Sequence, residues 1–455
     1  MSRHPASFRD PSGFLFWRDG VLYRQVNESY AEDYERLMSS GLYQALTGEG
    51  LLIAHSEVEE EPYRPGTAHA VLRPDQLQFI SYPYEWSFDA LRDAALCTLE
   101  VAERALEYGM NLKDASAYNI QFVRGRPVFI DTLSFEKYEE GEPWPGYRQF
   151  CQHFLAPLAL MARVDVQLNR LLMSDVDGVP LDLTSRVLPW RTKLSAGILM
   201  HIHLHASGQR RLSGSETRPG REVSERSLRG LIDSLRSTVS GLRWEPEGQW
   251  RDYYRDSSYT ERGFSAKKDL VGRYLDRLEP GDVWDLGGNV GIFSRLAAGR
   301  GAHVVSLDAD PACVQLNYRE TVKEEANVLP LWADLCNPSP AIGWANEERD
   351  SLLARGPADV VMALALVHHL AIGNNVPLER VAALFARCGG DLIAEFVPKS
   401  DPQVQRMLAS REDIFCEYTR EGFEKAFSDH FTVEDAEVIP DSERVLYLFR
   451  EGSHP

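Results

Sequence analysis

The sequence predicts a mixed α/β chain: a C-terminal domain on a parallel sheet wound between helices and finished by an antiparallel strand, preceded by an α+β domain. Three observations predict it. Past residue 226, short apolar runs alternate with helical stretches, the pattern of a doubly wound parallel sheet. Two β-rich runs close the chain, and the Pro440-Asp441-Ser442-Glu443 turn between them makes a hairpin, which must bring in an antiparallel strand. Before residue 205 the order is hairpin, helices, hairpin, helices.

The chain has 455 residues, too many for one core at about 100–200 residues per domain. Between His205 and Arg226 hydrophobic periodicity gives way to a polar run of serines, glycines, arginines and a proline. The expected division is a domain over 1–205, a linker over 206–226 and a domain over 227–455. Hydrophobic residues make up 44% and charged residues 26%, a globular composition. The formal charge of −19 repels phosphate backbones, which argues against nucleic acid and anionic membranes as partners. Six cysteines never come closer than 23 residues to each other, which excludes zinc-site spacing. They sit mostly in apolar segments, as in a reducing compartment. With no apolar signal core at the N-terminus and no apolar run long enough to cross a bilayer, the expected location is the cytoplasm.

In the C-terminal half, Val283-Trp284-Asp285-Leu286 reads as a strand running into Gly287-Gly288-Asn289-Val290-Gly291 and a helix over Ile292–Ala298. Glycine there lets the backbone approach a ligand, and the free N–H groups of a helix start attract electron-rich groups. A second strand, His303–Leu307, ends in Asp308, 21 residues after Gly287, the spacing of an acid that binds ribose hydroxyls. Asp334 follows a third run, Val328–Ala333, and so sits at the carboxyl edge of the sheet, where ligands bind. Strand four is Asp359–Leu366 and strand five Leu392–Val397, with a crossover helix between Pro377 and Gly389-Gly390. Phe431–Ile439 and Arg444–Arg450 form the terminal hairpin.

Roughly from residue 245 to 450 the sequence resembles the class I S-adenosylmethionine-dependent methyltransferases, whose Rossmann-like parallel sheet ends in such an antiparallel strand. Asp285 to Gly291 matches their first motif, Asp-x-Gly-x-Gly-x-Gly, with Asn289 in place of the middle glycine. Asparagine tolerates left-handed backbone geometry better than other side chains, so the turn survives. The resemblance implies that Asp285, Gly287, Gly288, Asn289 and Gly291 hold the amino-acid end of S-adenosyl-L-methionine. It implies Asp308 on the ribose hydroxyls, Asp334 and Leu335 at the adenine edge, and Leu364 and Ala365 lining the site. A nicotinamide dinucleotide fits the ribose spacing too, but the terminal hairpin favours methyl transfer.

His368 and His369, just past strand four, are the candidate catalytic pair: histidine titrates near neutral pH and serves as a general base, or else packs under the cofactor. The aromatic and hydroxyl-rich run Trp250 to Thr260 is either a lid over the cofactor or a packing surface. Glu395 either faces the pocket or is a satisfied strand acid.

In the N-terminal half, Phe14–Trp17 and Val21–Val26 flank Arg18-Asp19-Gly20, a hairpin signal. Helices are expected near 31–47 and 86–108, then a loop through Asp114 and Asn119, and a hairpin turning at Arg124-Gly125-Arg126 and ending at Asp131. Asn119 lies five residues after Asp114, and Asp131 twelve after Asn119. These spacings resemble the protein kinase and aminoglycoside phosphotransferase superfamily. That resemblance implies Asp114 as the residue orienting a hydroxyl acceptor, with Asn119 and Asp131 ligating magnesium beside ATP. The Gly-rich loop and strand lysine are missing, Thr132-Leu133 replaces Phe-Gly, and Arg24 stands in the strand. A degenerate, nucleotide-binding domain is the resulting expectation. Met200 to His205 alternates histidines, which in a strand would share one face for a metal and in a helix would be spread around it.

The reading is a methyltransferase acting on a small-molecule or protein acceptor, with a kinase-like domain that binds substrate or nucleotide or regulates. The alternatives are a phosphotransferase with an accessory cofactor domain, and a metabolite-sensing module without turnover.

Overall fold

The computed structural model describes residues 1–205, 223–246 and 259–452, which divide into two compact units. Unit 1 comprises Met1–Glu245 with Ala341–Arg349, and unit 2 comprises Pro246–Pro340 with Asp350–Pro455.

Unit 1 opens with an antiparallel sheet in the order Ser2–Arg3, Gly13–Arg18, Val21–Asn27, Ala68–Pro74, His55–Glu57. The expected hairpin forms because Asp19 (φ 50°) and Gly20 (φ 80°) both take the left-handed geometry of a two-residue turn. The single helix expected over 31–47 is two, Ala31–Ser39 and Leu42–Gly48, broken at Gly41 (φ 91°). The second expected helix is Phe88–Glu107, capped by the Ser87 side chain. Ile120–Val123 and Arg126–Phe129 form the second hairpin.

Helix Glu225–Gly241 lies within unit 1, so the compact boundary falls nearer residue 245 than the expected domain start at 227. Its apolar stripe, Leu228, Ile232, Leu235 and Val239, is buried, and Arg236 reaches Glu103 on Phe88–Glu107 at 2.6 Å. Most of the expected linker, 206–222, lies outside the described residues. His201 and His203 sit on a π-helical turn, Leu199–Leu204, with ring nitrogens bonded to Tyr147 and Ser234 and to Ser185 and Thr192, which answers the metal reading. Among the described residues, no group of three or more His, Cys, Asp or Glu could hold a metal ion. Within the same residues, no helix is long and apolar enough to cross a membrane.

Unit 2 is built on seven strands: β1 Asp282–Leu286, β2 His303–Asp308, β3 Val328–Trp332, β4 Ala358–Ala363, β5 Gly389–Phe396, β6 Phe431–Val438 and β7 Val445–Glu451. Their order is β3-β2-β1-β4-β5-β7-β6, with β1 to β5 parallel and the last hairpin antiparallel, as the resemblance implied. The strands read as nearly continuous apolar runs because helices cover both faces of such a sheet. Val283, Trp284, Val304, Val305, Val360 and Ile393 are fully buried or nearly so, each side chain contributing roughly 1.5–3 kcal/mol.

Four helices matter for the site: α1 Glu261–Leu278, α2 Ile292–Ala298, α3 Pro311–Glu324 and α4 Leu378–Cys388. Strand β4 stops at Ala363, short of the expected Leu366, because the chain turns through Ala365 at φ 52°. Sheet order reverses beside β1, between β2 and β4, the switch point where open α/β sheets bind ligands.

Candidate functional site: the carboxyl edge of the unit 2 sheet

A cavity of about 790 Å³ opens at the carboxyl ends of β1 to β4. Asp285, Gly287, Gly288, Asn289, Asp308, Asp334, Leu335, Leu364, Ala365, His368 and His369 all line it. Of the expected cofactor residues, Gly291 alone is not on its wall. A Cβ there would stand 2.0 Å from Asn317 Oδ1, and its φ is 76°, so this glycine is required by close packing of the turn on α3.

The turn is held from beneath. Gly287 and Gly288 both donate their N–H to the Leu307 carbonyl, and a Cβ on Gly288 would meet Ser306 Oγ at 2.2 Å. Asn289 takes φ 50°, the left-handed geometry anticipated for asparagine, and its Oδ1 accepts from Val290 N–H. Asp308 Oδ2 accepts from Asn289 N–H at 2.9 Å and Oδ1 from Asp310 N–H at 2.8 Å. Asp285 accepts from the Ser294 hydroxyl at 2.6 Å, and Asn317 joins through Ser306. Burial pushes the carboxyls of Asp285 and Asp308 up to about 6 each, and the Asp308 charge adds to the shift at Asp285. Asp334 accepts from Cys336 N–H at 2.9 Å, which fixes the turn after β3.

Sequence reasoning named Glu395, as pocket-facing or as a satisfied strand acid, and Tyr259 within the aromatic run, but missed Lys267 and Arg444, which join them on another wall. There Glu395, fully buried near the end of β5, receives Lys267 Nζ at 2.6 Å and Arg444 Nη1 at 3.3 Å, and the Tyr259 hydroxyl also donates to it. Arg444 in turn pairs with Asp401 at 2.8 Å and donates to Tyr259 Oη at 2.7 Å. Burial alone would raise the Glu395 carboxyl, but the two cations outweigh it and hold it below its ordinary range. Tyr259, Lys267 and Arg444 line the cavity. A signal existed: Lys267 occupies the apolar stripe of α1, in register with Gly263, Leu270 and Tyr274, and Glu395 interrupts an apolar strand. Tyr259 and Thr260 end the run read as a lid, and the rest of that run, 250–258, lies outside the described residues. Thr260 caps α1, accepting from Gly263 N–H.

His368 is 2% exposed and its Nδ1 has no hydrogen-bond partner. Burial pushes its pKa down to about 3, which corrects the expectation of a group titrating near neutrality. His369, with its ring centroid 4.2 Å from that of His368, is also lowered.

In unit 1 the three kinase-like residues are brought together, but around an arginine. Asn119 Nδ2 donates to Ser134 Oγ at 3.3 Å, and that hydroxyl donates to Asp131. Arg24 pairs with the same carboxylate at 2.5 Å, both side chains being mostly buried. Burial raises the Asp114 carboxyl, and the nearby charge of Asp131 adds to it. One Asp131 oxygen carries a guanidinium and the other a hydroxyl proton, so this donor set does not fit magnesium without Arg24 leaving.

No family profile matches the chain. The nodulation protein NoeA of Rhizobium meliloti (strain 1021) is 37% identical over 464 residues, covering 99% of this chain and 96% of that one. The chain belongs to the NoeA family. Among solved structures, this NoeA-family chain aligns with the PH0226 protein from Pyrococcus horikoshii OT3 over 44% of its length and 99% of that chain, at 18% identity and a TM-score of 0.32. The bifunctional kinase-methyltransferase WbdD aligns over 47% of this chain and 45% of its own, at 18% identity and a TM-score of 0.30. The N-methyltransferase NodS from Bradyrhizobium japonicum aligns over 42% of this chain and 98% of its own, at 11% identity and a TM-score of 0.31.

Proposed function

We propose that unit 2 is an S-adenosylmethionine-dependent methyltransferase acting on a small-molecule or protein acceptor, in the nodulation setting that its relative's name implies. One observation carries the reading: Asp285, Asp308 and Asp334 stand at the carboxyl ends of three adjacent parallel strands, around one left-handed glycine turn, on one cavity. The donor set fits the group. Gly288 lets the turn sit directly on Ser306 and Asp285, which keeps its backbone at the cavity wall, and the Asp308 carboxylate is held by backbone N–H groups, ready for a pair of hydroxyls.

When bound, the cofactor supplies an electrophilic methyl carbon on a positively charged sulfur. Asp285 and the turn would hold its amino-acid end, Asp308 the ribose, Asp334 and Leu335 the adenine. Leu364 and Ala365 narrow the cavity beside them and exclude water, and the positive φ of Ala365 is the strained geometry that clusters at binding sites. His368 stays neutral at physiological pH and acts through a hydrogen bond at Nδ1, not as a stored base.

Unit 1 takes no catalytic part in this reading, since Asp131 is committed to Arg24. Titration calorimetry with S-adenosylhomocysteine tests the assignment. Native protein binds it, and no heat of binding overturns the reading.

A further inference from the structure

We infer that the wall formed by His368, Tyr259, Lys267 and Arg444 is an acceptor subsite for an uncharged hydroxyl group. The inference rests on the methyltransferase reading and names the substrate class for that site.

Two independent features carry it. The first is charge balance. Lys267 and Arg444 are matched by Glu395 and Asp401, two cations against two carboxylates, all four residues buried. An anionic acceptor on this wall finds both of its cations already paired, a cationic one finds both carboxylates taken, and Arg406, exposed on the same cavity, is a solvated cation that an anion gains little by approaching. Either would lose its hydration on that wall without repayment. At neutral pH carboxylic acids are anions and alkylamines are cations, whereas alcohols carry no charge.

The second is the orphan nitrogen. His368 lines the cavity, is 2% exposed, and its Nδ1 meets no protein group. A neutral imidazole nitrogen either donates or accepts according to the tautomer, and a hydroxyl, which does both, complements it in either case, whereas leaving it unmet is costly in a buried site. Asn374, Gln403 and Arg406 line the same cavity and offer further polar contacts to a hydroxyl-rich molecule.

Three probes on one ring skeleton separate the classes: methyl α-glucopyranoside, glucosamine and glucuronate, each observed by saturation-transfer NMR on the full chain with S-adenosylhomocysteine present. The expected result is transfer to the neutral glycoside at least threefold above either charged sugar. The signal is lost in His368→Ala and largely kept in His368→Asn, whose side-chain amide both donates and accepts. Preference for a charged sugar, no transfer to any probe, or an unchanged signal in His368→Ala overturns the inference. Calorimetry on the same samples reports S-adenosylhomocysteine binding separately. Binding there with the wrong probe pattern sinks the hydroxyl subsite alone, and no binding by native protein sinks both.

Discussion

The Asp308 carboxylate accepts the backbone N–H of Asn289 at 2.9 Å, so the acid that ends the second strand also holds the middle of the glycine turn that follows the first. One side chain thus ties together two loops that a nucleoside would bridge.

Removing that carboxylate takes away both jobs. Hydrogen bonds to a charged group contribute about 1.5–3 kcal/mol each. Asp308→Ala should lower S-adenosylhomocysteine affinity by about 100-fold or more, on the scale of tenfold per 1.4 kcal/mol, as read by calorimetry. Unchanged affinity would remove Asp308 from the site.

Binding should depend on pH through Asp285 and Asp308, both pushed up to about 6. If the ionised forms hold the ligand, affinity is flat above about pH 7 and falls by about tenfold per carboxylate by pH 5. Stability of the unliganded fold runs the other way. A carboxyl raised from 3.8 to about 6 favours the folded state below the unfolded value, and that contribution is lost as pH rises through about 6. Thermal melts with and without S-adenosylhomocysteine should therefore diverge from pH 5 to about 7 and run parallel above it.

The turn discriminates between its glycines and its asparagine. Gly291→Ala places a Cβ against Asn317 in a left-handed conformation and should destabilise unit 2 by about 2–4 kcal/mol in urea denaturation. Asn289→Gly, at a residue already left-handed, should stay within about 1 kcal/mol and keep cofactor binding. Equal effects from the two substitutions would contradict this account of the turn.

Glu395→Gln leaves Lys267 and Arg444 short of a buried partner and should cost about 3–5 kcal/mol. In a Lys267→Met background the same change should cost markedly less, a coupling that a double-mutant cycle measures. Because the Glu395 carboxyl is held below its ordinary value, its contribution is present above the unfolded pKa and fades as pH falls through the folded one.

Arg24→Met should destabilise unit 1 by about 3–5 kcal/mol, since it strands the mostly buried Asp131 carboxylate. Restoration of much of that loss by Asp131→Asn in the same chain would show that the ion pair, not the arginine's packing, is what matters.

Local patterns carried far in this chain. The strand, turn and helix around Gly287, the acids after the second and third strands, and the terminal hairpin were legible because each is set by short-range chemistry: apolar alternation, left-handed turn residues and fixed spacing. Residues 227–241 were expected in the C-terminal domain because a polar neighbourhood says nothing about what covers an apolar stripe; in the fold, Arg236 and the buried leucines tie the helix that contains them to unit 1. Strand β4 read too long because an apolar run does not announce that Ala365 turns left-handed.

By itself, then, the sequence determined the parallel sheet, its glycine turn and the three acids along its edge, since local sterics and periodicity suffice for these. Only the tertiary structure decided that Tyr259, Lys267, Glu395 and Arg444 meet, that His368 is buried in the cavity wall, and that Arg24 sits on Asp131. The reason is physical. Charge pairing and desolvation depend on distances through space between residues 49 to 185 positions apart, and linear spacing does not encode them.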